Sequence, residues 1–253
     1  MSLYKNTKEL DKMRRAGRLN AKAMQAVANA VKPGVTTAAL DALAARVIRN
    51  GGGEPLFLGY RGYPASICAS VNAVVVHGIP NGSPLKEGDI ISIDLGTVLD
   101  GWCADMARTF PVGRINSEAE KLIAITEECF WTGYALLKTG KRVGDVASAV
   151  QRYAEERGYG VVRALTGHGI GRRMHESPSL PNFGNPGKGA SFKPGMVVAL
   201  EPMITAGTWQ VETAKDGWTT TTLDGKLSAH YENTVCITAG EPEILTVLED
   251  NDG

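Results

Sequence analysis

The 253-residue chain has no excess charge of either sign: 27 basic and 27 acidic residues leave a formal net charge of +0. That balance excludes the broad electrostatic field that draws proteins to nucleic acid or acidic membranes. There is no CxxC. The four cysteines, Cys68, Cys103, Cys129 and Cys236, are scattered, which argues against a disulfide framework and suits reduced thiols in cytoplasm. The N-terminal MSLYKNTKELDKMRR lacks the apolar core of a signal peptide, and no run approaches the length of a membrane span. What remains is an ordinary soluble composition, 43% hydrophobic and 21% charged, long enough for one large domain or two small ones. Histidine is as scarce as cysteine: His77, His168, His175 and His230 are the full set.

Asn6-Thr7-Lys8-Glu9 has the form of a capping box. Leu10, Met13, Met24, Val27 and Val31 then follow a helical stripe that Pro33-Gly34 stops. A second helix is expected from Thr37 to Asn50, before Gly51-Gly52-Gly53. The stretches ASICASV, NAVVVHGI, DIISIDLG and DGWCADMARTFPV read as strands. The pattern then restarts. Ser117-Glu118-Ala119-Glu120 opens a helix expected to reach Leu137, and KTGKRVGDVASAVQRYAEERGYG mirrors KPGVTTAALDALAARVIRNGG. Further on, PLKEGDIISID and SFKPGMVVALE align without a gap, so that Asp94 meets Glu201. The expectation is one domain over 1–253, α+β in class. Its two α/β halves, about 6–115 and 116–245, are related by a pseudo-twofold.

Asp100-Gly101 is a strong signal for a two-residue type I′ hairpin turn. Centred there, the hairpin places Asp105 opposite Gly96, with Asp94 two residues along on the same face. Asp94 and Asp105 become diagonal neighbours, about 7–8 Å apart or less at Cβ; a one-residue slip would send them to opposite faces. Asp224-Gly225 looks like the same device in the second half, followed by LSAHYENTVCI with Glu232, the counterpart of Asp105. A lone carboxylate usually lies at the surface. Four at matching strand positions are better read as converging, and they would raise one another's pKa unless cations neutralise them. Shared carboxylates can bridge two divalent ions about 3.5–4 Å apart.

His168 sits in TGHGIG, His175 in MHESPS and His77 in VVVHGIPNG. An imidazole beside hard oxygen ligands favours Mn, Fe, Co or Zn over Ca or Mg. TGHGIG is no phosphate loop, because GxGxxG with a later acidic partner is absent.

GHGIGRRMHESP, ALEPMI, SAHYENT, YPASICASVNAVVVHGIP and IDLGTVLDGWCADMARTF, taken in order over essentially the whole chain, resemble the bacterial type I methionine aminopeptidases, M24-like metallopeptidases of the pita-bread fold. The resemblance implies two divalent ions (Co, Mn, Fe, Zn or Ni) on Asp94, Asp105, His168, Glu201 and Glu232. Asp105 and Glu232 would bridge, Asp94 would complete the second metal, and His168 and Glu201 the first. It implies Glu201 as proton acceptor, His175 as oxyanion donor and His77 as a contact to the scissile peptide or leaving amine. It also implies a methionine pocket of Tyr60, Tyr63, Cys68, Met174 and Trp218, and a monovalent cation near Asn72 and Ser228. The substrates implied are nascent chains with a small second residue, met in the cytoplasm, at the ribosome, by a monomer.

The chain departs from that pattern in four places. His230 stands where Gln is usual, Asn233 where His is usual, Met174 for Phe, and Thr166 for Cys. His230 is two residues from Glu232 and shares its face on a regular strand, so it is expected behind the ligands as a donor tuning the metals. Two other readings stay open: a pita-bread peptidase for X-Pro bonds or dipeptides, and a metal-free binding module.

Overall fold

The computed structural model describes residues 3–248; the ends of the expected 1–253 span lie outside the described residues. Helix α1 spans Thr7–Ala30 and starts from the anticipated cap: the Asn6 side chain accepts from the Glu9 amide, and the Glu9 carboxylate accepts from the Asn6 amide. Helix α2 runs Thr37–Asn50 with Thr36 as N-cap. Helix α3 covers Ser117–Tyr134, three residues short of Leu137, because the backbone tightens there: Leu136 N–H reaches Gly133 and Leu137 N–H reaches Tyr134. Helix α4 is Val143–Glu155.

One sheet carries the molecule. Its path runs Glu54–Pro55, Ile90–Leu99, Trp102–Pro111, Glu232–Cys236, Val197–Leu200, Gly167–Gly169, Glu176–Leu180; Ile67–Val71 pairs with the Asp94 strand, and Glu243–Ile244 with the Glu232 strand. Its described pairings are antiparallel.

Side chains alternate across a sheet, and here the alternation separates core from chemistry. Ile91, Ile93, Leu95 and Met106 pack with Met24, Val27, Leu40 and Ile48 of α1 and α2. Val198, Leu200 and Val235 pack with Phe130 and Val150 of α3 and α4. The helices therefore cover one face, each pair beside its own half of the sheet. Asp94, Asp105, Glu201 and Glu232 occupy the intervening positions, on the face the helices leave open. Burying an aliphatic side chain contributes roughly 1.5–3 kcal/mol, so these two cores hold the phase of every strand that bears an acid.

The hairpin has the expected register: Leu99 pairs with Trp102, Gly96 with Asp105 and Asp94 with Ala107. Asp100 (φ 51) and Gly101 (φ 73) are both left-handed, as a type I′ turn requires. The second half differs from expectation. Asp224 is absent from the left-handed residues and Gly225 alone has φ 70. The strands flanking that turn do not pair with each other: Thr220–Thr222 joins Val211–Thr213 and Val74–Val76, and Ser228–His230 joins Met203–Thr205. Glu232 instead meets the Glu201 strand through sheet pairing, Asn233 opposite Leu200. The link between them is the long excursion from Pro202 to Tyr231, where the first half uses two residues.

Candidate metal centre

Ala107 pairs with Asp94 on one side and with Glu232 on the other. Continuing the Asn233–Leu200 register by one step sets Glu201 opposite Glu232. One row across the sheet thus reads Asp94, Ala107, Glu232, Glu201, with Asp105 two residues from Ala107 on the same face. The methyl of Ala107 leaves the space into which the carboxylates converge. Gly96, opposite Asp105, makes room on the flank: a Cβ there would stand 2.7 Å from Leu56 and 3.0 Å from the Phe57 ring.

Neighbouring polar groups lock the strand that bears Asp105. Thr234 Oγ1 donates to the Asp105 carbonyl and accepts from its amide, both at 2.9 Å, and the Asp105 carboxylate accepts from the Met106 amide at 3.1 Å. Asn182 donates to the Glu201 carbonyl at 2.8 Å. The acids themselves have few partners. Asp94 Oδ1 and Glu232 Oε1 are buried with no hydrogen bond. Such groups cost free energy unless something compensates them.

Electrostatics give the same picture. Burial, then Asp105 and Glu201, lift Asp94 well above the carboxylate range. Burial, then Asp105, does the same to Glu201, and burial, then Asp105, Glu201 and Asp94, to Glu232. Burial pushes Asp105 up to about 7. Burial and then His175 bring His168 down to about 4. A neutral imidazole and crowded acids are what a cation would discharge. Ligand atoms of Asp105, His168 and Glu232 lie within 4.8 Å of one another, as do those of Glu201, His230 and Glu232. His168 Nε2 is 3.5 Å from Glu201 Oε1, while its Nδ1 is 3.0 Å from the Gly169 carbonyl. That contact fixes the ring and leaves Nε2 as the ligand atom. The residues fit divalent cations.

Beside the acids lies a cavity of about 260 Å³. Every residue expected in the site from sequence except His230 lines it: Asp94, Asp105, His168, Glu201, Glu232, His77, His175, Tyr60, Tyr63, Cys68, Met174 and Trp218. His230 is 1% exposed and stands behind the carboxylates. Phe57 and Arg61 also line the cavity and were not foreseen. Phe57 sits in an aperiodic stretch, EPLFLGY, with no pattern to single it out; Arg61 is an exposed cation at a left-handed position, φ 49.

The apolar end is built from Phe57, Tyr63, Cys68 and Met174, with Tyr60 and Trp218 packed against them. Tyr63 and Trp218 meet edge to face at 5.0 Å. The Tyr63 hydroxyl donates to the carbonyls of Ile67 and Gly78, so the ring alone faces the cavity. Burial, then Asp94, raises the Cys68 thiol well above its ordinary value and keeps it protonated. Tyr60 Oη lies 2.7 Å from His175 Nδ1, and the His168 and His175 rings are 4.3 Å apart. His77 has a left-handed φ of 59 and stands edge-on to Trp218 at 6.2 Å. Asn72 and Ser228 are adjacent, the Ser228 amide donating to the Asn72 carbonyl at 2.9 Å. Both side chains have protein partners, Asn72 bonding Asp89 and the Ile90 amide and Ser228 the Ile204 carbonyl.

Residues 11–239 match the model of metallopeptidase family M24. The chain belongs to that family. It is 49% identical to the methionine aminopeptidase of Clostridium perfringens over 98% of this chain and all of that one. It is 46% identical to methionine aminopeptidase 1 of Bacillus subtilis, over 97% of this chain and 99% of that one. The crystal structure of methionine aminopeptidase from Rickettsia prowazekii superposes with a TM-score of 0.95 at 43% identity, covering 96% and 99% of the two chains. A prolidase from Pyrococcus furiosus shares the fold at 22% identity, TM-score 0.81, with this chain spanning 66% of it. This M24 chain therefore has the pita-bread α+β fold expected from its sequence, and among its described residues no helix is long and apolar enough to cross a membrane.

Proposed function

We propose that this metallopeptidase removes the N-terminal methionine from polypeptides whose second residue is small. One observation carries the reading. The row Asp94–Ala107–Glu232–Glu201, with Asp105 and His168 beside it, opens onto a cavity whose apolar end is built of aromatic rings and sulfur. A thioether side chain suits such a lining.

Asp94, Asp105, His168, Glu201 and Glu232 would hold two divalent ions. Bound there, the ions supply Lewis acidity toward the scissile carbonyl and lower the pKa of an attacking water. Glu201 takes the water's proton, as a carboxylate held at the site of attack can. Tyr60 orients His175: with the hydroxyl donating to Nδ1, the ring proton sits on Nε2, where it can donate to the oxygen that gains charge. Burial, then Arg61, lowers the His175 pKa, so it acts as a neutral donor. His77 is neutral for a similar reason, burial and then His175, and contacts the scissile amide or departing amine. Phe57, Tyr63, Cys68, Met174 and Trp218 receive the methionine side chain.

The wider setting belongs to the same proposal: one catalytic unit over 1–253 built from repeats 6–115 and 116–245, a monomer acting on nascent chains in the cytoplasm, at the ribosome. The ions are drawn from Co, Mn, Fe, Zn or Ni, and a monovalent cation sits near Asn72 and Ser228. The discriminating experiment compares Met-Ala-Ser with Ala-Pro peptides under one metal loading. Release of methionine from the first and no cleavage of the second is expected. Cleavage of Ala-Pro alone would mark an X-Pro peptidase.

A further inference from the structure

His230 places an imidazole on the buried wall of the acid cluster, where the family resemblance leads one to expect an amide. The ring is 1% exposed, and neither Nδ1 nor Nε2 has a hydrogen-bond partner. Nε2 points at the acids: it is 3.8 Å from Glu201 Oε2 and 3.9 Å from Glu232 Oε2. Both separations are too long for hydrogen bonds. They suit donors of one cation, since ligand bonds of about 2.0–2.2 Å put two donors roughly 3–4 Å apart. Glu201 stands between two imidazoles, Oε1 facing His168 at 3.5 Å and Oε2 facing His230. The donor atoms form two triads, Asp105–His168–Glu232 and Glu201–His230–Glu232, joined through Glu232.

We propose that His230 is itself a metal ligand, and that Glu201, His230 and Glu232 form a divalent-cation position next to the one at Asp105, His168 and Glu232. The proposal rests on the dimetal reading above but redistributes its ligands: Glu201 joins His230 rather than His168, Glu232 is the carboxylate common to both triads, and each of the two adjoining positions carries one imidazole. It also differs from a role as an outer donor, because an outer imidazole would hydrogen-bond a ligand rather than stand off from two carboxylates with both nitrogens unpartnered. The chemical consequence is selectivity. Imidazole suits Zn, Co, Fe and Ni, whereas an amide oxygen suits harder ions such as Mn. His230 shifts this centre toward the first group.

The test is X-ray absorption on the full-length protein carrying two equivalents of Co(II), paired with calorimetric titration of Co(II) and Mn(II). Wild type should show two imidazoles per pair of ions and His230→Gln one. His230→Gln should also bind one Co(II) weaker by at least on the order of tenfold, with a smaller loss for Mn(II). A wild-type count of one imidazole overturns the proposal even where His230→Gln fails to fold. So does a folded variant, checked by circular dichroism, that keeps two imidazoles or wild-type Co(II) affinity. Two ions bound with a single imidazole would overturn the His230 assignment alone. No cation bound by wild type at all would overturn the dimetal reading with it.

Discussion

Asp105 concentrates the electrostatic conflict at the level of single residues. It is 4% exposed, and its charge helps raise Asp94, Glu201 and Glu232. Asp105→Asn should therefore act in opposite directions on the two states. In metal-loaded protein it should remove a proposed metal ligand and abolish activity. In chelated protein it relieves repulsion and should raise the melting temperature by about 2–4 °C for each kcal/mol gained. A carboxyl whose folded pKa is raised keeps its proton on folding. Chelated wild type should thus lose stability as pH rises from the ordinary carboxylate range toward 7, the value to which Asp105 is pushed, and the variant should flatten that loss. Melting curves of both proteins with and without chelator check the pattern.

Lys5 and Glu176 are the contrasting pair. Lys5 Nζ meets Glu176 Oε2 at 2.8 Å with side chains only 4% and 7% exposed. Glu176 also accepts from the amides of Arg172 and Arg173, holding the loop that carries His175. Burial pushes the Glu176 carboxyl up, but the Lys5 hydrogen bond and those two amides outweigh it, leaving the pKa below its usual 4.5. The pair's contribution is therefore present above about 4.5 and lost as pH falls through the depressed pKa. Removing one partner of a buried pair costs about 3–5 kcal/mol. Lys5→Ala should destabilise by that order at neutral pH, and by less in acid, as chemical denaturation at both pH values would report.

At the level of elements, phase decides function. The Asp100-Gly101 turn fixes the register, and the register puts both aspartates on the face away from α1 and α2. One residue inserted between Asp94 and the turn should leave far-UV circular dichroism near wild type while metal content by mass spectrometry collapses, because the slip carries Asp94 to the helix-covered face. This part of the site was legible in the sequence because a two-residue turn with left-handed demands leaves one register. The second half was less so. Asp224-Gly225 looks like the same turn, yet Thr220–Thr222 and Ser228–His230 take partners elsewhere. Glu201 and Glu232 meet through a long connection whose pairing only the sheet reveals. Ala107 escaped notice because its contribution is small size, and Phe57 because nothing periodic surrounds it. The cap and stripe of α1 and the bounds of α2 were readable because local hydrogen bonds and spacing dictate them.

At the level of the whole molecule, the acids come from both halves: Asp94 and Asp105 from the first, Glu201 and Glu232 from the second. Each half has its own core under its own helix pair, so ions bound as proposed between the acids would tie the halves together. Binding to the folded state alone adds about 2.7 kcal/mol per site at a hundredfold excess over Kd, and about 2–4 °C per kcal/mol follows for a chain of this size. Calorimetric scans should show a melting temperature that climbs with free Co(II) or Mn(II) and falls on chelation, as a single transition if the halves unfold together.

The most direct measurement follows methionine released from Met-Ala-Ser by mass spectrometry as chelated protein is reloaded stepwise with Co(II) or Mn(II), wild type beside Glu232→Gln. No release before loading, release that rises with metal in wild type, and none in Glu232→Gln at equal loading is the predicted result. Release at wild-type rate by the chelated protein or by Glu232→Gln would contradict it.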